Sequence, residues 1–334
     1  MNTVWSRDIV SEAKIFFMIG APSCGTTALG AALRSHPEIC FSMPKEPHYF
    51  SRLRPGWTLG RILVDYLPLY FRHWPGAGIS LGEGSTSYLY SDQAIDAINR
   101  CFPNARFIVM VRNPLEMVPS YHRKMLFLLD EDEPDLARAW ALQGARSWGE
   151  QLPRYCRDWR LLQYRDVGRV GARCEALLRR VDPRRVKFVL FDDFVADPLA
   201  VYRDTLDFLS LADDGRTVIK RRNAGQLPKS TMVQLMIREP RIEIARVMLI
   251  RLRRSRRFKA LGQAIGRVRR SNRHAVAPDR LPSALRATLV EAFAEDVQIL
   301  SELFGRDLRY WLEAEAVESP RDPVREVTLD SVLA

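Results

Sequence analysis

A glycine-containing stretch between an apolar run and a helical pattern constrains the fold of this chain most strongly. Residues 14–19 read Lys-Ile-Phe-Phe-Met-Ile, a continuous apolar run typical of a strand buried on both faces of a parallel sheet. The stretch Gly20-Ala-Pro-Ser-Cys-Gly-Thr-Thr27 follows, and a helical pattern then runs to about Ser35, where His36-Pro37 ends it. A turn at a helix N-terminus offers unpaired backbone N–H groups and the positive end of the helix dipole, so this order of elements predicts a phosphate-binding loop.

The residue types in the loop specify which anion it suits. Ser23, Cys24, Gly25, Thr26 and Thr27 would bind through backbone N–H groups and hydroxyls, and Gly25 lets the backbone approach closely. The spacing matches G-x-x-x-x-G-K-[ST], except that a threonine replaces the lysine that nucleoside triphosphatases need on the β- and γ-phosphates. No convincing Mg²⁺-binding aspartate follows a later strand. The sequence therefore favours an anion loop over an ATP or GTP hydrolase, and a glycine-rich turn without a ligand stays the structural alternative.

A second segment has an arginine at the end of a strand pattern and a serine in the helical pattern that follows. Arg106–Val111 is an apolar strand pattern, Arg112 ends it, and Pro114 opens a helix that carries Ser120. Arg112 would lie at the carboxyl edge of the sheet, where α/β folds bind ligands, and its guanidinium suits a bidentate phosphate contact. The alternative role for Arg112 is a salt bridge at the end of the strand.

Strand and helix patterns alternate along most of the chain. A further strand is predicted at 186–191, and helices at 91–101, 114–128, 136–163, 171–180, 197–210 and 283–304. This alternation predicts an α/β protein with a P-loop-like, doubly wound parallel sheet flanked by helices. We expect a single domain over 1–315, with a basic helical insertion at 220–275 and a C-terminal tail at 316–334.

Several classes of protein are disfavoured by composition. No apolar run approaches the ~20 residues of a spanning helix, and charged residues precede the first apolar stretch, unlike a secretory signal. The 5 cysteines contain no CxxC pair, and no His/Cys pair has ligand spacing, so no metal is expected. We expect a protein of the reducing cytoplasm.

Taken together, the two segments resemble the sulfotransferases that use 3′-phosphoadenosine 5′-phosphosulfate (PAPS), and look closest to bacterial enzymes related to the carbohydrate, heparan-type branch. Further matching pieces are His36–Ile39, Lys45–Phe50, Gly82–Leu89, Phe191–Pro198 and Leu303–Trp311. The resemblance implies that residues 24–27 hold the 5′-phosphosulfate and that Arg112 and Ser120 hold the 3′-phosphate.

The resemblance also implies a mechanism: in-line transfer of the sulfuryl group to an acceptor, with no metal. The general base of the heparan-type branch is a glutamate, which here is Glu46, with His48 beside it. A carboxylate within hydrogen-bond reach can accept the proton that an alcohol loses as the S–O bond forms. His48 is alternatively a packed or supporting histidine.

Two departures from the family pattern matter for catalysis. The family usually has Lys or Arg where this chain has Ser23, and the heparan-type branch often has another lysine at the position of Gly84. Losing such a charge typically costs ~10²–10³ in rate. We expect Lys45 to replace the missing loop cation, the alternative being a solvated loop lysine. The departures leave open a nucleotide-binding pseudoenzyme or partner subunit, whereas Thr26 disfavours a P-loop kinase.

The positive charge of the chain is concentrated in one segment. Residues 220–275 hold 17 Lys and Arg against two acids, while the whole chain carries +11. By resemblance, Arg222 and Asn223 are candidates for the 3′-phosphate. The interleaved basic and apolar residues at 246–273 suit an anionic membrane surface, the alternative being a solvated helical insertion. No nucleic-acid module accompanies the charge.

Aromatic residues concentrate at 136–165 (Trp140, Trp148, Tyr155, Trp159, Tyr164), where they either wall an acceptor pocket or belong to the core. The acceptor expected is a hydroxyl of a saccharide or small metabolite. The sequence specifies neither the acceptor nor the oligomeric state.

Overall fold

The apolar run after Lys14 forms a central strand, β1 (Ile15–Gly20), and all of its residues are buried. The computed structural model describes residues 14–53, 57–76, 78–219, 226–237, 266–268, 271–275 and 281–313. Within these residues a five-stranded parallel sheet has the order β2-β3-β1-β4-β5. Its other strands are β2 (Ile39–Phe41), β3 (Ser80–Glu83), β4 (Arg106–Val111) and β5 (Val186–Leu190).

The order of the strands defines where a ligand can bind. The chain leaves β1 toward β3 and β2 on one side and returns to β4 and β5 on the other, so the topological switch point lies at the carboxyl end of β1. Gly20 pairs with Met110 there, and the Ala21 N–H donates to the Met110 carbonyl at 3.1 Å. A Cβ on Gly20 would lie 2.4 Å from that carbonyl oxygen, so only glycine allows the two backbones to approach this closely.

Helices cover both faces of the sheet. The longer ones are α1 (Thr26–Arg34), α2 (Asp92–Cys101), α3 (Pro114–Leu128), α4 (Val170–Leu178), α5 (Pro198–Leu209) and α6 (Ser283–Phe304). Shorter helical pieces lie at Phe50–Arg52, Leu59–Arg61, Ile62–Tyr66, Leu67–Tyr70, Thr86–Tyr90, Leu136–Ala141, Gln143–Ser147, Trp159–Leu162, Tyr164–Gly168, Pro183–Arg185, Phe191–Ala196, Thr231–Ile237 and Tyr310–Glu313. The α/β class with a parallel sheet flanked by helices is confirmed.

One predicted helix is wrong. Residues 136–163 form three short pieces rather than a single helix, because Gly149 and Gln151 take positive φ (83° and 49°) and Pro153 follows. Two strands were also missing from the prediction: β2 and β3 have three and four residues, too short for a periodic signal. Phe191, predicted to end the third strand, begins a helix instead.

The basic insertion is described only in part. A short antiparallel pair, β6 (Gln226–Pro228) with β7 (Arg273–Ala275), and the helix Thr231–Ile237 belong to it, so the segment 220–275 is not purely helical. Arg222, Asn223, most of 246–273 and the predicted tail at 316–334 lie outside the described residues. Among the described helices, none has the length and apolar character needed to cross a membrane.

The C-terminal helix α6 packs against α4 through a buried carboxylate. The Asp296 side chain accepts hydrogen bonds from the N–H groups of Gly171 (2.7 Å) and Ala172 (2.9 Å), which open α4. The first N–H groups of a helix have no intrahelical partner, so a residue 125 positions away in sequence supplies the cap here.

Candidate active site

The loop between β1 and α1 presents a row of backbone donors. Ser23 and Gly25 take positive φ (63° and 82°), and Gly25 caps α1 without a side-chain hydrogen bond. Among the described residues, the N–H groups of residues 23–27 have no hydrogen-bond acceptor. Unpaired N–H groups at a helix N-terminus are the donors that a phosphate loop needs, so binding of an anion by residues 23–27 stays a prediction.

The side chains of the loop have distinct environments. Thr26 is buried and Thr27 is exposed, so one hydroxyl faces the protein and the other faces solvent. The Cys24 thiol is fully buried and donates to the Pro22 carbonyl at 3.5 Å, and burial raises its pKa to about 12. Cys24 therefore stays a neutral thiol.

Arg112 lies directly against this loop. Its Nη1 donates to the Ser23 carbonyl at 3.1 Å, and its guanidinium stacks on the Phe191 ring, 4.5 Å from the centroid. Nη2 also pairs with Glu116 at 2.8 Å, one turn along α3. The structure therefore shows a salt bridge at Arg112, the alternative role, and brings Arg112 and the loop to the same edge of the sheet. The phosphate contact stays a prediction.

The helix that carries Ser120 starts beside Arg112. Asn113 caps α3 by accepting the Leu115 N–H at 2.9 Å, and Pro114 occupies the first helical turn. Ser120 is buried on this helix, at 8% exposure. Because Arg112 precedes the helix and Ser120 lies within it, both belong to the same strand–helix connection beside the loop.

Lys45 contacts the start of α1, and Glu46 is paired with it. The Gly84 N–H and the Ser42 hydroxyl both donate to the Lys45 carbonyl at 3.1 Å, which fixes the segment against the end of β3. The Lys45 ammonium donates to Glu46 Oε1 (2.8 Å), to Thr26 Oγ1 (3.3 Å) and to the Gly84 carbonyl (3.3 Å). Lys45 therefore links the candidate base to the first residue of α1.

The absence of a side chain at residue 84 makes room for Lys45. A Cβ on Gly84 would lie 3.0 Å from Lys45 Cε, and one on Gly30 would lie 3.2 Å from the same atom. The lysine arm thus fills the space that a side chain at position 84 would need. A lysine at position 84 would therefore compete for the space that the Lys45 side chain occupies.

His48 supports the other carboxylate oxygen of Glu46. Its Nε2 lies 3.4 Å from Glu46 Oε2, and its Nδ1 lies 2.7 Å from the Ser87 hydroxyl. The backbone at His48 has a φ of 54°, and its N–H donates to Ser85 Oγ at 2.9 Å. This geometry favours the supporting role for His48, since both ring nitrogens already face partners.

The charged neighbours of Glu46 keep the candidate base ionised. Burial by itself would raise the pKa of Glu46, but Lys45, His48 and Lys124 together hold it well below its ordinary value. Burial lowers the pKa of Lys45, and the Glu46 carboxylate opposes this effect. Burial also lowers the pKa of His48. Glu46 is consequently a carboxylate at neutral pH, the form that can accept a proton.

Two residues near the site escaped the sequence analysis. Lys124 lies on α3, four residues after Ser120, so helical spacing from that serine was the available signal. Glu83, the last residue of β3, is completely buried and accepts a hydrogen bond from the Tyr66 hydroxyl. Nothing in the local sequence distinguishes Glu83 from an exposed glutamate.

The aromatic cluster divides between core and surface. Trp140 packs edge-to-face on Phe293 with centroids 5.9 Å apart, and Tyr164 is buried and donates to Glu131 at 2.6 Å. These two belong to the core. Trp148, in contrast, is 86% exposed. The described contacts connect none of these aromatic side chains to Glu46.

In this parallel α/β fold the loop lies at the switch point of the sheet, Arg112 lies at the end of the next strand, and Glu46 is joined to the loop through Lys45. A family model described as "Sulfotransferase family" matches residues 48–215, half of the chain. The chain belongs to the sulfotransferase family.

The chain is similar to individual sulfotransferases in sequence and in fold. Carbohydrate sulfotransferase 15 of Homo sapiens is 33% identical over a match that covers 31% of this chain and 26% of that protein. The Mus musculus protein of the same name is 32% identical. The chain thus spans about a quarter of the length of the curated relatives that it matches. A sulfotransferase structure from Alicyclobacillus acidocaldarius covers 89% of this chain and 97% of its own, with a TM-score of 0.60 and 24% identity, which shows the shared fold.

Proposed function

We propose that this protein transfers a sulfuryl group from PAPS to a hydroxyl of an acceptor, a saccharide or small metabolite, with Glu46 as the general base. The observation that carries the proposal is the contact between the loop, Lys45 and Glu46. Five free backbone N–H groups lie on one side, and an ionised carboxylate lies on the other, joined through Lys45 to Thr26.

The donor set fits the nucleotide. The N–H groups of residues 23–27 and the threonine hydroxyls would hold the 5′-phosphosulfate, and Arg112 and Ser120 would hold the 3′-phosphate. Arg112 Nη1 donates to the Ser23 carbonyl at 3.1 Å, so the guanidinium lies beside the loop at the same edge of the sheet.

The chemistry follows from these positions. The acceptor oxygen forms a bond to sulfur while the bond between sulfur and the bridging phosphate oxygen breaks. Glu46 takes the acceptor proton, and the electron pair of the broken bond stays on the phosphate, whose new charge the loop N–H groups stabilise. Lys45 and His48 hold the two carboxylate oxygens and orient them.

Lys45 is also our proposed replacement for the loop cation missing at Ser23. Its ammonium lies 3.3 Å from the Thr26 hydroxyl, so its charge acts on the start of α1. Lys45→Ala should lower kcat with PAPS, and an unchanged kcat would remove this role.

The proposal is tested by measuring PAPS turnover on a panel of hydroxyl acceptors. Glu46→Gln should reduce kcat at least ~10²-fold, because the amide cannot accept the proton. Its affinity for 3′-phosphoadenosine 5′-phosphate (PAP) should stay near wild type, since the nucleotide site is intact. Glu150→Gln, at an exposed position, is the matched control. Full activity in Glu46→Gln would contradict the assignment of the base.

The second candidate is a nucleotide-binding pseudoenzyme or partner subunit, favoured by the serine at position 23. It predicts calorimetric binding of PAP without turnover on any acceptor. Turnover of PAPS by the wild-type protein would exclude it.

A further inference from the structure

A chain of side-chain contacts continues from Glu46 through His48 to two serine hydroxyls. His48 Nε2 lies 3.4 Å from Glu46 Oε2, and His48 Nδ1 lies 2.7 Å from Ser87 Oγ. Ser87 Oγ lies in turn 2.8 Å from Ser51 Oγ, which is also 3.2 Å from the His48 carbonyl oxygen. The two serines therefore lie beside the ring nitrogen that faces away from Glu46.

The available protons give this chain of contacts a direction. Glu46 Oε1 pairs with the Lys45 ammonium at 2.8 Å, and an ionised carboxylate only accepts hydrogen bonds, so the proton facing Oε2 belongs to His48 Nε2. Burial lowers the pKa of His48, which favours the neutral ring. A neutral ring protonated on Nε2 has a lone pair on Nδ1, and Ser87 is the hydroxyl that can donate to it. Ser87 Oγ can then accept from Ser51.

The backbone around this chain of contacts is held by other groups. The His48 N–H donates to Ser85 Oγ at 2.9 Å, and the Phe50 N–H donates to the hydroxyl of Tyr88, a fully buried side chain, at 3.3 Å. These bonds fix residues 48–50 against the helical piece Thr86–Tyr90 without the Ser87 side chain. Removing the Ser87 hydroxyl should therefore change the hydrogen bonding of the His48 ring and leave the path of the chain intact.

We propose that Ser87 is a positioning residue that keeps His48 in the tautomer that donates to Glu46. This inference rests on the proposed function. Lys45 then holds one carboxylate oxygen and His48 Nε2–H holds the other, so the base cannot rotate without losing a donor. Without the Ser87 hydroxyl, the tautomer with its proton on Nδ1 becomes accessible, and that tautomer turns a lone pair toward the carboxylate. The acceptor proton still goes to Glu46, and Ser87 neither gains nor loses a proton.

The kinetic test uses Ser87→Ala with PAPS and the best hydroxyl acceptor of the panel. We expect kcat to fall about tenfold, whereas KM for the acceptor and Kd for PAP change less than about twofold, because the hydroxyl acts on the base and not on either ligand. Ser87→Thr keeps the hydroxyl and should recover most of the rate. Ser147→Ala, at an exposed serine, is the matched control and should behave as wild type.

A double-mutant cycle separates positioning from general loss of structure. If Ser87 acts through the His48 ring, Ser87→Ala should change kcat less than about twofold in a His48→Ala background. A loss in that background as large as in the wild-type background would overturn the proposal, since the effect would then bypass the ring. An unchanged kcat in Ser87→Ala alone would overturn it as well.

The histidine nitrogen shifts in NMR spectra report which ring nitrogen carries the proton, and they do so without turnover. We expect the His48 proton on Nε2 in the wild-type protein and a mixture of both tautomers in Ser87→Ala. A wild-type His48 protonated on Nδ1, or a tautomer that Ser87→Ala leaves unchanged, would contradict the inference. Failure of the wild-type protein to convert PAPS would instead contradict the proposed function, while the NMR measurement would still test the role of Ser87.

Discussion

At the scale of single residues, the structure shows what fills the space beside residue 84. Gly84 and Gly30 leave the volume that the Lys45 arm fills, so the cation enters from a different segment of the chain. Glu46, Arg112 and the loop each belong to an ordered motif, which is why the sequence could single them out as candidates. It could not predict that all three Lys45 donors are used, since that depends on contacts between residues up to 39 positions apart.

Glu83 gives a pH-dependent prediction at the same scale. Burial raises its pKa from 4.5 to about 7, so the folded protein keeps this proton over a pH range where the unfolded chain has lost it. The contribution of Glu83 to the free energy of unfolding is therefore fully present below the unfolded pKa of 4.5. It is lost as the pH rises through the folded pKa of about 7, a loss of about 3 kcal/mol. Glu83→Gln cannot ionise, so its free energy of unfolding should fall by about 2 kcal/mol less than that of wild type between pH 5 and pH 8.

Urea unfolding at the two pH values checks this prediction. Glu150→Gln, at an exposed position, should keep the wild-type decline. An equal decline in Glu83→Gln and wild type would show that the buried carboxyl does not titrate in this range.

At the scale of elements, helix bounds were predicted best where a regular apolar spacing continues over many residues or where a residue that starts a helix marks its first turn. The bounds of α3 and α6 agree with prediction. Pro114 marks the start of α3, and a regular apolar spacing runs through α6. The region 136–163 failed because a glycine, a left-handed glutamine and a proline break it within five residues. A strand as short as β2 is too short to show an alternation of apolar and polar residues. It is recognised as a strand only through its pairing with β3.

The contact between α6 and α4 predicts a stability effect. Asp296→Ala would leave the N–H groups of Gly171 and Ala172 without their acceptor in a buried position. We expect a loss of about 1–3 kcal/mol in the free energy of unfolding, measured by urea denaturation. Glu295→Ala, on the exposed face of the same helix, should change it by less than about 0.5 kcal/mol. Similar values for the two variants would show that the cap is not stabilising.

At the scale of the whole molecule, strand order brings the site together. The loop, Arg112 and Glu46 come from segments far apart in sequence, and the crossing of the chain at β1 gathers them at one edge. Parallel strands and α/β alternation allowed that edge to be predicted. The sequence did not predict where the basic residues 246–273 lie relative to this edge of the sheet. Most of them lie outside the described residues.

Association with an anionic membrane surface through 246–273 therefore stays a prediction. The protein should sediment with vesicles that contain anionic lipid at low salt and be released at high salt, because screening weakens the attraction of its arginines. Vesicles of zwitterionic lipid alone are the control. Absence of binding to anionic vesicles at low salt would remove this role.

Calorimetric titration with PAP tests the central claim most directly, namely that the loop at residues 23–27 and Arg112 bind one nucleotide. We predict a single site per chain and a Kd weakened at least about tenfold in Arg112→Met, because the bidentate phosphate contact is lost. An absence of binding to the wild-type protein, or equal affinity in Arg112→Met, would contradict the account.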